Sequence, residues 1–163
     1  MKILISYTAM ALSLLCALVF CRGYKNYLQE KLLLSEAFCK LLSHFHSRIE
    51  CFLTPPELLL EGFENRELEA AGYIEAAGRA GVCDGYFEIK DSLCIPEEEK
   101  KILSEFFEKF GSEYRSGTLR LTEHTHTELL SRVEKKRKRI NDEIKVVQTV
   151  AAALALGTVI LLI

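Results

Sequence analysis

With 21 Lys and Arg against 23 Asp and Glu, the 163-residue chain has a formal net charge of -2, so it has no global electrostatic attraction to nucleic acid. Its 6 cysteines contain no C-x-x-C pair and no regular spacing, which argues against a zinc ribbon or a disulfide scaffold and fits a reducing compartment. Hydrophobic residues make up 49% of the chain but are unevenly spread: an uncharged run at each end flanks a charge-rich middle.

The first run, Ile3 to Cys21, holds no charged residue and is rich in Leu, Ala, Val, Ile and Phe. At ~1.5 Å per helical residue it would reach roughly 28 Å, near the ~30 Å hydrocarbon thickness of a bilayer, which predicts a transmembrane helix over 3–21. A cleaved signal peptide is the alternative. It fits less well, because the run exceeds a usual h-region and no small-x-small pair precedes a cleavage point. Phe20 also sits where lipoprotein processing at Cys21 would need a small residue. Only Lys2 precedes the run, whereas Arg22, Lys25 and Lys31 follow it; by the positive-inside rule the following residues stay in the cytoplasm.

Residues 22–145 read as one helical domain. Leu28, Leu32, Ser35, Cys39, Leu42, Phe45 and Ile49 recur at three- and four-residue steps, one stripe of an amphipathic helix that continues from the first run. Thr54, Pro55 and Glu57 form a capping box for a short helix from Leu58 to about Phe63. A further helix is expected over Arg66 to Arg79, with Leu68, Ala71, Ile74 and Ala77 on one side, before Gly78, Gly81 and Gly85 break the pattern. Pro96 opens the next helix, with Glu97, Glu98 and Glu99 in its first turn opposing the helix dipole. Leu103, Phe106, Phe107 and Phe110 are its apolar stripe, and Gly111 ends it.

The last helix carries His126, Leu129, Leu130, Val133, Ile140 and Ile144 and runs into the second uncharged segment, 146–163, which predicts another transmembrane helix. Lys135, Lys136, Arg137, Lys138, Arg139 and Lys145 precede that segment, and nothing charged follows it. Both basic flanks, Arg22 and Lys25 included, therefore border the middle domain. The predicted topology is two-pass, with the domain in the cytoplasm and both termini outside it. No window alternates with period two, so the fold class expected is all-α: an antiparallel helical bundle between two membrane helices.

Candidate chemistry is sparse. His44 and His46, like His124 and His126, are spaced i, i+2, which turns them roughly 200° apart on a helix and prevents one ion from bridging them. No zinc spacing, phosphate loop or nucleophile constellation is present, so neither an enzyme nor a cofactor is expected. Glu97, Glu98 and Glu99 are candidate partner contacts, although capping charge explains them equally simply. The basic run Lys135 to Arg139 reads as a membrane flank attracting anionic lipid headgroups, at ~1 kcal/mol per cation, rather than a nucleic-acid patch.

Taken together, Glu50-Cys51-Phe52-Leu53-Thr54-Pro55-Pro56-Glu57-Leu58, the acidic helix start Glu97 to Glu99 before Ile102-Leu103, Phe110-Gly111, and the small-residue tail Val150 to Ile163 resemble the stage III sporulation protein AB family in order and spacing. The resemblance covers nearly the whole chain. It departs after Gly111, where a Ser-Asp pairing is missing, and at Val146-Val147-Gln148-Thr149, where the family has Arg-x-Leu-Gly. It implies a domain similar to the cytoplasmic domains of the platform membrane protein of type II secretion systems. The implied role is a non-enzymatic membrane platform in a sporulation-specific secretion-like complex linking mother cell and forespore. Its implied partners are a secretion-type ATPase and other membrane subunits, and its implied place is the mother-cell (outer forespore) membrane. The alternative is a membrane-anchored helical adaptor or regulator in an unrelated complex.

Overall fold

The computed structural model describes residues 2–52, 55, 58–110 and 115–162. Among them there is no strand, and the fold is all-α. Helix α1 spans Lys2–Phe52, α2 Arg66–Ala70, α3 Tyr73–Ala80, α4 Val82–Ile89, α5 Glu97–Lys109 and α6 Arg115–Leu162, with a 3-10 turn at Lys90–Ser92. The chain divides into two compact units: residues 31–135, and residues 1–30 with 136–163.

The 31–135 unit holds most of the core. The stripe expected on α1 is buried at Leu32, Ser35, Cys39, Leu42, Phe45 and Ile49, while Leu28 is half-buried. Ala37, Phe38 and Leu41 are buried as well, so this part of α1 is covered over a wider arc than one stripe. Packed on it is an aromatic cluster drawn from four helices. Phe38 lies 5.7 Å from Tyr73 and 6.1 Å from Tyr86, Tyr86 stacks on Phe107 at 4.5 Å, and Phe45 meets Phe110 at 5.6 Å. Tyr73 donates its hydroxyl to the Val82 carbonyl at 3.1 Å, and Tyr86 donates to the Lys100 carbonyl at 2.9 Å, so neither phenol is buried without a partner.

Several local expectations change. The segment 58–63 is a run of i+3 turns, with N–H groups of Leu58, Glu61 and Phe63 donating to Pro55, Leu58 and Leu60, instead of a short α-helix. Thr54, Glu57 and Gly111, expected to cap or end helices, lie outside the described residues. The helix expected over 66–79 is interrupted by Gly72, whose φ of 79° is left-handed, giving α2 and α3. The break turns the inner face of α3 toward Tyr73, Ala76 and Ala77 and leaves Ile74 half-buried. Asn65, whose side chain accepts from Leu68 N–H at 3.1 Å, starts α2 as its N-cap. Gly78 lies within α3 and Gly85 within α4; of those three glycines only Gly81, at φ 98°, separates two helices. On α6 the buried face of this unit is Thr118, Thr122, Thr125, Leu129 and Val133, with Leu130 exposed. The Thr122 hydroxyl donates back to the Thr118 carbonyl at 2.7 Å, which lets a polar residue sit inside.

The membrane placement is corrected. Among the described residues no helix is long and apolar enough to cross a membrane. The two-pass arrangement in the cell membrane, with both termini outside the cytoplasm, therefore does not hold, and the orientation drawn from the basic flanks loses its premise. A crossing needs ~20 consecutive apolar residues in one helix, and no stretch of that kind stands among the described residues.

In the 1–30 and 136–163 unit, Ile140 is buried, Phe20 and Tyr24 stack at 6.4 Å, and Tyr24, Arg139, Asp142, Glu143, Val146 and Val147 line a shallow groove.

One pair of glycines tests the packing of α3 on α4. A Cβ at Gly85 would stand 2.5 Å from the Ala77 backbone, whereas one at Gly78 meets nothing within 4 Å. Gly85→Ala should lower stability by about 1–3 kcal/mol in urea denaturation. Gly78→Ala should raise it by about 0.5–1 kcal/mol, since only the helix-propensity gain remains.

Candidate functional site

The acidic start of α5 is the feature singled out for partner binding, and helix geometry treats its three carboxylates differently. Successive residues are turned about 100° apart, so three neighbours cannot share a face. Glu99 stands i−4 to Leu103 and i−7 to Phe106, on the apolar stripe itself, and is only 4% exposed. There it accepts a short hydrogen bond from Ser35 Oγ of α1, a residue 1% exposed; the same hydroxyl lies 3.2 Å from the Lys31 carbonyl. Each helix thus carries one polar residue on its apolar stripe, and the two meet. Both belong to a wider set of polar contacts.

The other two carboxylates face outward and are engaged within the chain. Glu97 pairs with Lys100 at 3.0 Å. Glu98 pairs with Arg132 of α6, whose other nitrogen lies 3.4 Å from Glu128. Both glutamates are largely exposed, so each pair is screened and contributes about 1 kcal/mol at most. Glu97 and Glu98 accordingly form a surface, bordered by Lys100, Arg132 and Glu128, and Glu99 does not belong to it.

Cys39, one turn along α1 from Ser35, is buried in the same region. Burial first, then the charges of Glu99 and Glu36, push its thiol up to about 12, so it is no nucleophile at neutral pH. Burial likewise raises Cys83, with the Asp84 charge adding to it.

The histidines do not converge. His44 Nε2 lies 3.0 Å from the Leu59 carbonyl, and its ring is 5.0 Å from Phe63, so it ties the 58–63 turns to α1. Arg48, one turn on, donates to the Glu61 carbonyl of the same turns. His46 pairs with Glu50 at 3.5 Å, while His124 is exposed and His126 half-buried. Among the described residues no three His, Cys, Asp or Glu side chains are grouped as a metal would need.

Of the basic residues, Arg22, Lys25, Lys135, Arg137, Lys138, Arg139 and Lys145 are exposed and Lys136 is half-buried. Arg139 is held by Glu143 at 2.9 Å and Lys145 by Asp142 at 3.8 Å, within α6. The acidic partners, one turn after Arg139 and one turn before Lys145, were visible in the sequence at i+4 and i−3 spacing.

The sequence matches no protein-family model, no curated protein and no solved structure.

Two measurements check this site. Ser35→Ala, which leaves a buried carboxylate short of a donor, should cost about 1–3 kcal/mol in chemical denaturation, whereas Glu97→Ala should stay within about 0.5 kcal/mol. For His44, partial burial lowers the pKa from 6.5, against the opposing hydrogen bond to Leu59. A depressed histidine contributes stability that is present above 6.5 and is lost as pH falls through its lower folded value. A denaturation series from neutral to mildly acidic pH should show that loss, and His44→Gln should flatten it.

Proposed function

We propose that this chain is a non-enzymatic scaffold subunit of a sporulation-specific secretion-like complex, with helices packed as an antiparallel bundle that docks a secretion-type ATPase. The observation that carries the reading is the order and spacing of its sequence features across nearly the whole chain. The Glu50 to Leu58 segment, the acidic start at Glu97, the Phe110-Gly111 stop and the small-residue tail follow one another as in the stage III sporulation protein AB family. The outward carboxylates Glu97 and Glu98 support it as a docking surface, because both are largely exposed and can turn from Lys100 and Arg132 to a partner's cations at little cost. Arg132, bridging α6 to the start of α5, holds that surface in place.

The test is capture of the ATPase by the full-length chain. The wild-type protein should retain it, and Glu97→Lys with Glu98→Lys should weaken capture at least tenfold while leaving the helical circular dichroism unchanged. His124→Ala should leave both capture and spore formation at wild-type levels. Capture untouched by the double charge reversal would remove this surface from the docking interface. Normal sporulation without the chain would overturn the scaffold role itself.

A further inference from the structure

The groove in the unit formed by residues 1–30 and 136–163 has Tyr24 of α1 on one wall and Arg139, Asp142, Glu143, Val146 and Val147 of α6 on the other. α1 leaves this unit after residue 30 and α6 enters it at residue 136, so with Tyr24 beside that entry the two helices run antiparallel. Phe20 stacks on Tyr24 and thus stands on the groove side of α1. Leu12, Phe20, Gly23, Tyr27 and Glu30 fall within an arc of about 80° on that side, and all five are exposed. On α6, Arg139, Glu143, Val146 and Val150 fall within an arc of about 60°. The two arcs border one groove and form one surface.

That surface is apolar along most of its length and charged at the end where α1 leaves. Leu12 and Phe20 are both 66% exposed, Val146 62% and Val150 52%. A Cβ at Gly23 would meet nothing within 4 Å, which leaves room for another helix to approach. Six residues beyond Tyr24 is about 9 Å, which brings Glu30 level with Arg139 on the antiparallel α6. Glu30 takes no cation among the described residues. An exposed apolar patch of this kind needs a partner, and its chemistry is set by the charges beside it. A helix laid on α1 here has to be apolar beside Phe20 and to offer a cation beside Glu30. α6 of a second copy does both, with Val146 and Val150 and then Arg139.

We infer that two copies of the chain associate through this surface as a four-helix bundle about a two-fold axis parallel to the helices. The two-fold lays α6 of each copy on α1 of the other, antiparallel and at the level it holds within one chain. Phe20 then packs against Val146 and Val150 of the second copy, and Glu30 meets Arg139 of the second copy, each contact occurring twice. Burying Leu12, Phe20, Tyr27, Val146 and Val150 in both copies removes roughly 1,000 Å² from water, the size a specific interface has to clear. A nucleic acid would find Arg139 as the single cation on these two arcs and would leave the apolar side chains in water. The inference stands independently of the scaffold role and of Glu97 and Glu98.

Light scattering of the full-length chain in aqueous buffer tests it. At about 50 µM the wild type should show twice the 18.5 kDa mass of one chain. Phe20→Asp with Val150→Asp should weaken association at least about 100-fold and give the single-chain mass. Both side chains are exposed within one chain, so the helical circular dichroism should not change. Leu18→Asp, on the far side of α1, should keep the doubled mass, which separates this surface from apolar stickiness in general. Glu30→Arg should weaken association about fivefold, and adding Arg139→Glu should recover most of it. A single-chain mass for the wild type would overturn the proposal and leave the groove to a helix of another protein. So would a doubled mass that survives Phe20→Asp with Val150→Asp, or larger assemblies that Leu18→Asp dissolves equally well.

Discussion

A carboxylate placed on the apolar stripe of a helix must find a donor or drive the helix apart from its neighbour, because an unsatisfied buried charge costs several kcal/mol. Glu99 meets that requirement through Ser35, and the requirement reaches well beyond the two residues. It fixes which turn of α5 faces which turn of α1. Once that register is set, Leu103, Phe106 and Phe107 are carried into the interior, and Phe110 comes against Phe45 one further turn away. A purely apolar contact between the same helices would tolerate a shift along the axis; a buried hydrogen bond does not.

The rest of the 31–135 core assembles around that register. Phe107 stacks on Tyr86, which in turn meets Phe38 and hands its hydroxyl back to the Lys100 carbonyl, so α4 is tied to both α1 and α5. Tyr73 reaches across the Gly81 turn to the Val82 carbonyl, and Gly85 lets α4 approach the Ala77 backbone more closely than any side chain would allow. These contacts use the polar tips of aromatic residues as fasteners, the common way to bury Tyr without loss. Glu97 and Glu98 owe their outward position to the same geometry: with Glu99 committed inward, the two residues before it are rotated away from the core.

Apolar surface is used differently in the two units. Within 31–135 the large apolar side chains are mostly buried, and the few exposed ones, such as Leu33, Leu58 and Phe87, stand apart in sequence. Within 1–30 and 136–163, Leu12, Leu15, Leu18, Val19, Phe20, Val146, Val150 and Leu154 are all exposed. That contrast gives the chain two kinds of surface, one polar with its large apolar groups buried, the other with its large apolar groups exposed.

Much of the fold was legible because helix periodicity is a local property. The α1 stripe from Leu32 to Ile49, the α5 stripe from Leu103 to Phe110, and the continuous last helix all follow from three- and four-residue spacing, and the all-α class follows from the absence of alternation. The sequence was equally informative about the acidic first turn of α5, but read all three glutamates as one group; the stripe spacing of Glu99 to Leu103 and Phe106 was the signal that separates them. The threonine face of α6 escaped because hydroxyls count as polar until an i−4 carbonyl accepts them. The break at Gly72 depended on a left-handed φ that composition does not announce, and the membrane helices rested on run length, which the described residues do not bear out. Local chemistry thus determined by itself which segments are helical and which face of each is apolar. Only the tertiary structure decided which polar residue on those faces meets which, because a hydrogen bond such as Ser35 to Glu99 joins positions 64 residues apart, and no spacing along a single helix encodes it.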